Sequence, residues 1–352
     1  MPSTIVILGT GGTIAGTASH PGDNVGYTAA QRSVADLLAA VPVLTPLPAL
    51  APLPALAILP AFGPPARAAI EAEQVAQIDS KDIDNALWQR LAQRVAHHLA
   101  RPQVQGIVIT HGTDTLEETA WFLQRVLAPA KPVVLTAAMR PATSAQADGP
   151  QNLLDAVRVA QHAGAHGVVA VLAGTVHGAH DVRKVHPYRL DAFGSGDAGV
   201  LAHIEEGVVR QHRPWPQGPA IGLQHLPTDT AAWPQVEIVH SHANAGDTLV
   251  NALCAGGVQG IVAAGTGNGS LHHRLDAALQ AAQARGVAVL RSTRCLDGRV
   301  LDAQGAPATL PHAGALTPVK ARIELMLRLL SSAPAGAAPA GPVAVSNLTM
   351  RL

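Results

Sequence analysis

The chain has 352 residues, 48% of them hydrophobic and 14% charged, a globular composition with material for two sizeable cores. Lys and Arg (24) balance Asp and Glu (24), so no basic field exists to hold a polyanion, which argues against nucleic acid as the main partner. The two cysteines, Cys254 and Cys295, stand in no paired motif, which excludes a disulfide or metal-cluster scaffold and fits a reducing compartment.

No apolar run reaches the ~18 residues of a membrane span, so no membrane partner is expected. Met1 to Thr4 lead directly into Ile5-Val6-Ile7-Leu8 with no basic leader, which reads as a first strand and not as a signal peptide. Taken as the natural start, Met1 implies a cytoplasmic protein; an export signal already removed would imply the periplasm.

Short β-branched runs at 4–8, 106–110, 132–136, 167–172, 236–239, 260–264 and 287–290 alternate with helical stretches at 30–40, 84–100, 116–127, 151–162, 248–255, 273–285 and 319–330. Most of the runs are apolar throughout, as parallel strands covered on both faces require. The alternation predicts an α/β fold with a parallel sheet. Residues 199–210 predict a hairpin turning at Glu206-Gly207. The Pro- and Gly-rich stretch 210–220 reads as a linker between a larger N-terminal α/β domain (1–209) and a smaller C-terminal α/β domain (221–330). Residues 42–66 hold eight prolines and no charge, predicting an extended insertion, and 331–352 reads as a flexible tail.

The first strand ends in Gly9-Thr10-Gly11-Gly12-Thr13-Ile14-Ala15-Gly16. Glycines after a buried strand let the backbone turn tightly beside a ligand. The spacing departs from the dinucleotide fingerprint, and the Gly-Lys-Ser/Thr of a phosphate loop is missing. A hydroxyl at the carboxyl end of a parallel strand stands where such sheets bind ligands, so Thr13 is a candidate nucleophile. A second strand runs into His111-Gly112-Thr113-Asp114-Thr115-Leu116-Glu117-Glu118. Thr115 with Glu118 has capping-box spacing, which starts a helix there and leaves Thr113 and Asp114 in the loop before it. Threonine needs a base to attack at neutral pH, and the candidate is Lys184 in Asp181-Val182-Arg183-Lys184. Seventeen histidines are scattered without a complete ligand set, so no metal is expected.

The segments Thr10-Gly-Gly-Thr-Ile-Ala-Gly16 and His111-Gly-Thr-Asp-Thr-Leu-Glu-Glu118 resemble the two signature motifs of bacterial-type L-asparaginases, the asparaginase/glutaminase family. Ala138-Met-Arg-Pro-Ala-Thr-Ser-Ala-Gln-Ala-Asp-Gly-Pro150, Asp181 to Lys184, Ala243-Asn244-Ala245 and Ala264-Gly-Thr-Gly-Asn-Gly269 resemble further blocks in the same order. The resemblance implies a two-domain α/β fold and a homotetramer built as a dimer of dimers. It also implies hydrolysis of L-asparagine to L-aspartate and ammonia without a cofactor. By matching motif, Thr13 is the nucleophile and Tyr27 the phenol that assists it from a lid. Thr113, Asp114 and Lys184 form the second set. Substrate binding falls to Ser80, Asp79, Gly112, Thr113 and Asp114, to the backbone carbonyl of Ala138, and to Asn244 reaching a neighbouring subunit's site. Two departures stand out. Asp79 and Lys81 flank Ser80 where exported members carry Gly and Gln, and 295–316 contains no glutamate, leaving Asp297 or Asp302 as substitutes. The asparagine-to-glutamine preference is open, with a mixed glutaminase-asparaginase or a non-catalytic amino-acid-binding homologue as alternatives.

Overall fold

The computed structural model describes residues 3–44, 68–302 and 310–332. The expectations on the proline-rich stretch beyond residue 44 and on the tail beyond 332 fall outside the described residues. Within the first segment, Pro42–Leu44 forms a short 3-10 turn. The chain divides into two compact units, one of Met1–Ala120, Ala128–Gly194 and Val200–Gln217, the other of Trp121–Leu127, Ser195–Gly199 and Gly218–Leu352.

In chain order the first unit contains β1 (Thr4–Gly11), α1 (Val34–Ala39), β2 (Ala69–Ile78), α2 (Asn85–Leu99), β3 (Val104–Thr110), the start of α3 (Leu116–Leu127), β4 (Val133–Thr136), α4 (Gly149–Ala160), β5 (Val168–Leu172), β6 (Thr175–Gly178), β7 (Arg183–Lys184), β8 (Phe193–Gly194), β9 (Ala202–Glu205) and β10 (Val208–Gln211). Eight strands form one sheet in the order β10-β9-β6-β5-β4-β3-β1-β2. β5, β4, β3, β1 and β2 run parallel, while β6, β9 and β10 add antiparallel to the β5 edge. The sheet is thus mostly parallel, as the apolar runs predicted.

Every residue of β1, β4 and β5 is buried, so alternation gives way to continuous apolar sequence. α4 covers one face, its stripe of Leu153, Ala156, Val157 and Ala160 packing into the core with Ile5, Ile7, Val108, Val134 and Val169.

Two departures from the sequence reading have local causes. The helix expected over 30–40 begins at Val34, because Ala30 lies in the left-handed region (φ 57°) and Ser33 caps with Asp36 in a reciprocal box. β2 carries no apolar run, since as an edge strand it is exposed enough to tolerate Glu71, Glu73, Gln74 and Gln77. The expected hairpin forms around Glu206-Gly207, its second strand running one residue further to Gln211, which pairs with Ala202.

The second unit builds a three-stranded parallel sheet, β11 (Val236–His240), β12 (Gly260–Gly265) and β13 (Ala288–Thr293), with α5 (Thr248–Ala255), α6 (His273–Ala284) and α7 (Pro318–Ser332). Val239, Ile261, Ala263, Val289, Leu275 and Leu279 form its core. Inside it Glu324 is almost fully buried. Burial pushes its carboxyl up, but Arg125 (2.7 Å) and Arg328 (2.9 Å) hold it below the usual carboxylate range. Among the described residues no helix is long and apolar enough to cross a membrane.

The β9–β10 turn places Glu206 (φ 47°) and Gly207 (φ 79°) both in the left-handed region, the geometry that favours Asn-Gly in two-residue hairpins. A β-carbon strains that conformation less when it carries an Asn side chain. Glu206→Asn is therefore expected to raise unfolding stability by up to ~1 kcal/mol, read as a higher midpoint in urea. A lower midpoint would show that the glutamate does something the turn geometry does not reveal.

Candidate active site

Four adjacent parallel strands deliver the candidate residues to one edge of the sheet. β1 ends before Thr13, β2 before Ser80, β3 before Thr113 and β4 before Ala138, and β4, β3, β1 and β2 are neighbours in that order. Parallel strands present their carboxyl ends together, so chain segments far apart in sequence become one rim.

The rim is closed by glycine. Gly12 adopts φ 81°, ψ −172°, a conformation that only glycine enters readily, and a β-carbon there would overlap the backbone of Gly112. A β-carbon on Gly112 would in turn overlap the Ser80 hydroxyl. The Gly12 N–H donates to the Ile78 carbonyl (2.9 Å), and the Thr10 hydroxyl donates to the Thr110 carbonyl (2.9 Å). Thr13 and Thr113 therefore each follow a glycine at a point where two loops touch backbone to backbone.

Each threonine has its own partner. The Thr13 hydroxyl lies 2.7 Å from the Tyr27 phenol oxygen. Tyr27 sits in a segment closed at its base by reciprocal Thr17 and Thr28 backbone bonds (2.9 Å each), and the edge of its ring packs against Gly16. The Lys184 Nζ donates to the Thr113 Oγ1 (2.9 Å) and to the Asp114 Oδ1 (2.6 Å). Both threonines are buried, whereas the Asp114 side chain is 52% exposed. Asp114 therefore keeps a face toward solvent while anchoring the lysine.

The remaining candidates fall as follows. Ser80 is buried; its Oγ accepts the Asp114 N–H (3.3 Å), and its carbonyl accepts the Thr115 hydroxyl (2.8 Å). Asp79 caps the turn Ser80–Asp82 and pairs with Lys81 (2.7 Å), so the two flanking charges neutralise each other locally. Ala138 is fully buried beside Gly149, which also approaches Ile14. Asn244 belongs to the second unit and is exposed in a left-handed turn (φ 60°). There too, Asp302 contacts the His312 Nε2 (3.1 Å).

Two residues went unassigned in the sequence reading. The Glu117 carboxylate, in the first turn of α3, accepts the Lys184 backbone N–H (3.3 Å) and ties the short β7 to the rim. His111 is completely buried. Its Nδ1–H donates to the Gly112 carbonyl (2.7 Å), while Nε2 faces no donor or acceptor. Burial lowers its pKa from 6.5 to about 4, so the ring is neutral at physiological pH. The signal available was position: both residues belong to the same motif as Thr113.

Comparison with known proteins gives the family. The description "Asparaginase, N-terminal" matches residues 4–217, and "Glutaminase/Asparaginase C-terminal domain" matches residues 235–335. A parallel-sheet α/β enzyme fold with its candidate site at the strand ends is thus one of a known class, and the chain belongs to the asparaginase family. It is 36% identical to L-asparaginase 2 of Bacillus subtilis over 92% of this chain and 82% of that protein. It is likewise 36% identical to the glutaminase-asparaginase of Pseudomonas fluorescens over 83% of this chain and 75% of that one. The crystal structure of a probable cytoplasmic L-asparaginase from Campylobacter jejuni matches with a TM-score of 0.81 at 36% identity, over 93% of this chain and 95% of that chain.

The buried, neutral His111 has a thermodynamic consequence. Its pKa in the folded chain is below the unfolded value, so the unfolded state binds the proton first and stability falls as pH drops from 6.5 toward about 4. Between pH 7 and pH 5, wild type should lose ~2 kcal/mol more stability in urea than His111→Gln. Parallel pH profiles for the two proteins would contradict this account of His111.

Proposed function

We propose that the chain hydrolyses the side-chain amide of L-asparagine to L-aspartate and ammonia, with Thr13 as the nucleophile. The observation that carries this reading is the Gly12–Gly112 contact. It brings together the loops that bear a hydroxyl–phenol pair and a hydroxyl–amine–carboxylate set.

The Thr13 oxygen attacks the amide carbon while its proton passes to the Tyr27 oxygen, whose own proton goes to the departing nitrogen. The C–N bond breaks, ammonia leaves, and a β-aspartyl ester remains on Thr13. Water then adds to the ester carbon and returns a proton to the Thr13 oxygen, freeing aspartate. Lys184 already donates to the Thr113 oxygen, so that hydroxyl's own proton is free and negative charge on the oxygen is stabilised. Backbone N–H groups around Thr13 and Thr113 hold the oxyanion, typically worth ~3 kcal/mol per donor.

Substrate recognition follows from hydrogen-bond direction. Ser80 Oγ accepts from the Asp114 N–H, which leaves its hydroxyl proton for the α-carboxylate. The solvent-facing part of the Asp114 carboxylate, with Asp79 next to Ser80 in the chain, receives the α-ammonium. The Ala138 carbonyl takes an amide N–H. The reading includes a homotetramer in which Asn244 of a neighbouring subunit completes the site; a monomer mass in sedimentation would remove that part.

The relative named glutaminase-asparaginase supports a second reading, a mixed specificity. One methylene separates the two substrates, a difference worth roughly 10- to 200-fold in a fitted pocket. Purified protein should release ammonia from asparagine with a kcat/KM at least tenfold above that for glutamine. A ratio near one establishes the mixed enzyme, and silence on both substrates removes the proposal. Thr13→Ala and Thr113→Ala should each lower kcat/KM by roughly a thousandfold with thermal unfolding nearly unchanged. Full activity in both variants would overturn the assigned roles.

A further inference from the structure

We propose that Asp148 and Asn152 are a positioning pair that aims the Ala138 carbonyl at the N–H of the scissile amide, an inference that rests on the asparagine reading above.

Asp148 stands at the N-cap of α4, yet its side chain caps nothing. An aspartate in that place ordinarily accepts from the helix's own first N–H groups. Here the carboxylate is turned to another segment. Its Oδ2 accepts the Met139 N–H (3.0 Å) and its Oδ1 accepts the Arg140 N–H (3.0 Å). One turn along, Asn152 is buried and fully engaged. Its Nδ2 donates to the Ala137 carbonyl (2.9 Å) and to the Asp148 Oδ2 (3.1 Å), and its Oδ1 accepts the Ala173 N–H (3.0 Å).

The consequence for Ala138 is geometric. The Ala138 carbonyl and the Met139 N–H belong to one peptide plane, and in a trans peptide they point in opposite directions. No peptide among the described residues is cis. Binding the Met139 N–H to Asp148 therefore turns the Ala138 carbonyl away from Asp148, while Asn152 fixes the preceding plane through the Ala137 carbonyl. Among the described residues no donor reaches the Ala138 carbonyl, although Ala138 is fully buried. A buried carbonyl without a donor is a cost that native structures rarely leave standing, and an incoming N–H removes it.

The same helix start sets the distance to the nucleophile. A β-carbon on Gly149, next to Asp148, would lie 2.8 Å from the Ile14 Cγ1 and 3.5 Å from the Ala138 Cβ. The first turn of α4 is thus wedged against Ala138 and against the neighbour of Thr13. Asp148 and Asn152 touch no substrate; they act through the carbonyl they orient.

The test compares L-asparagine with the β-methyl ester of L-aspartate, which has no N–H at the leaving group, on wild type, Asp148→Asn and Asn152→Ala. Both substrates report on the same active fraction, so partial unfolding cancels from their ratio. The variants should lose roughly ten- to hundredfold in kcat/KM on the amide, with less than about threefold lost on the ester. Equal losses, complete loss of both included, or no loss on either substrate would show a purely structural role and overturn the proposal. Wild-type protein inactive on both substrates would instead strike at the asparagine reading, and this inference would fall with it.

Discussion

Everything at the strand-end rim depends on two α-carbons that carry hydrogen where other residues carry a side chain. Gly12 and Gly112 meet with no room for a methyl group, and Gly112 meets the Ser80 hydroxyl equally closely. Interiors are packed near crystal density, so such a contact has no slack to absorb a larger atom. Any residue at either place would separate the Thr13 loop from the Thr113 loop. The Thr13 and Thr113 loops gain their proximity from what those two positions lack.

Around that contact the polar groups are tied down by backbone partners more often than by one another. Thr10 is bonded to the Thr110 carbonyl, Thr115 to the Ser80 carbonyl, and His111 to the Gly112 carbonyl. The exceptions are the side chains that can move charge or protons, Thr13 with Tyr27 and Thr113 with Lys184 and Asp114. The loops are thus held by backbone partners while the hydroxyl, phenol and amine groups bond one another, the division a preorganised site requires. The lysine arrives on the two-residue strand β7, and the bond from its N–H to Glu117 compensates for so short a ladder.

Much of this architecture was legible beforehand because burial on both faces writes itself as uninterrupted Val, Ile and Leu. β1, β3, β4 and β5 could be placed for that reason, and so could the loops that follow three of them. β2 could not, since an outer strand with Glu71 and Glu73 in it follows no clear period. Thr13 and Thr113 were nameable from glycine-bracketed positions at strand ends. Asp148 was not, because a helix-start aspartate is among the commonest capping residues and nothing in its local sequence says that its carboxylate faces elsewhere. Contacts between distant segments leave no periodic trace, and the meeting of Gly12 with Gly112 is one of them.

The distance in sequence between the members of the site bears on how the chain folds. Thr10 is tied to a residue 100 positions away, and Lys184 reaches back 71 positions to Thr113. Closing such long loops is slow compared with forming helices or hairpins. The candidate site therefore belongs to the last stages of assembly. Nascent or partly collapsed chains, however helical, keep Thr13 and Thr113 apart until the central strands have all found their neighbours.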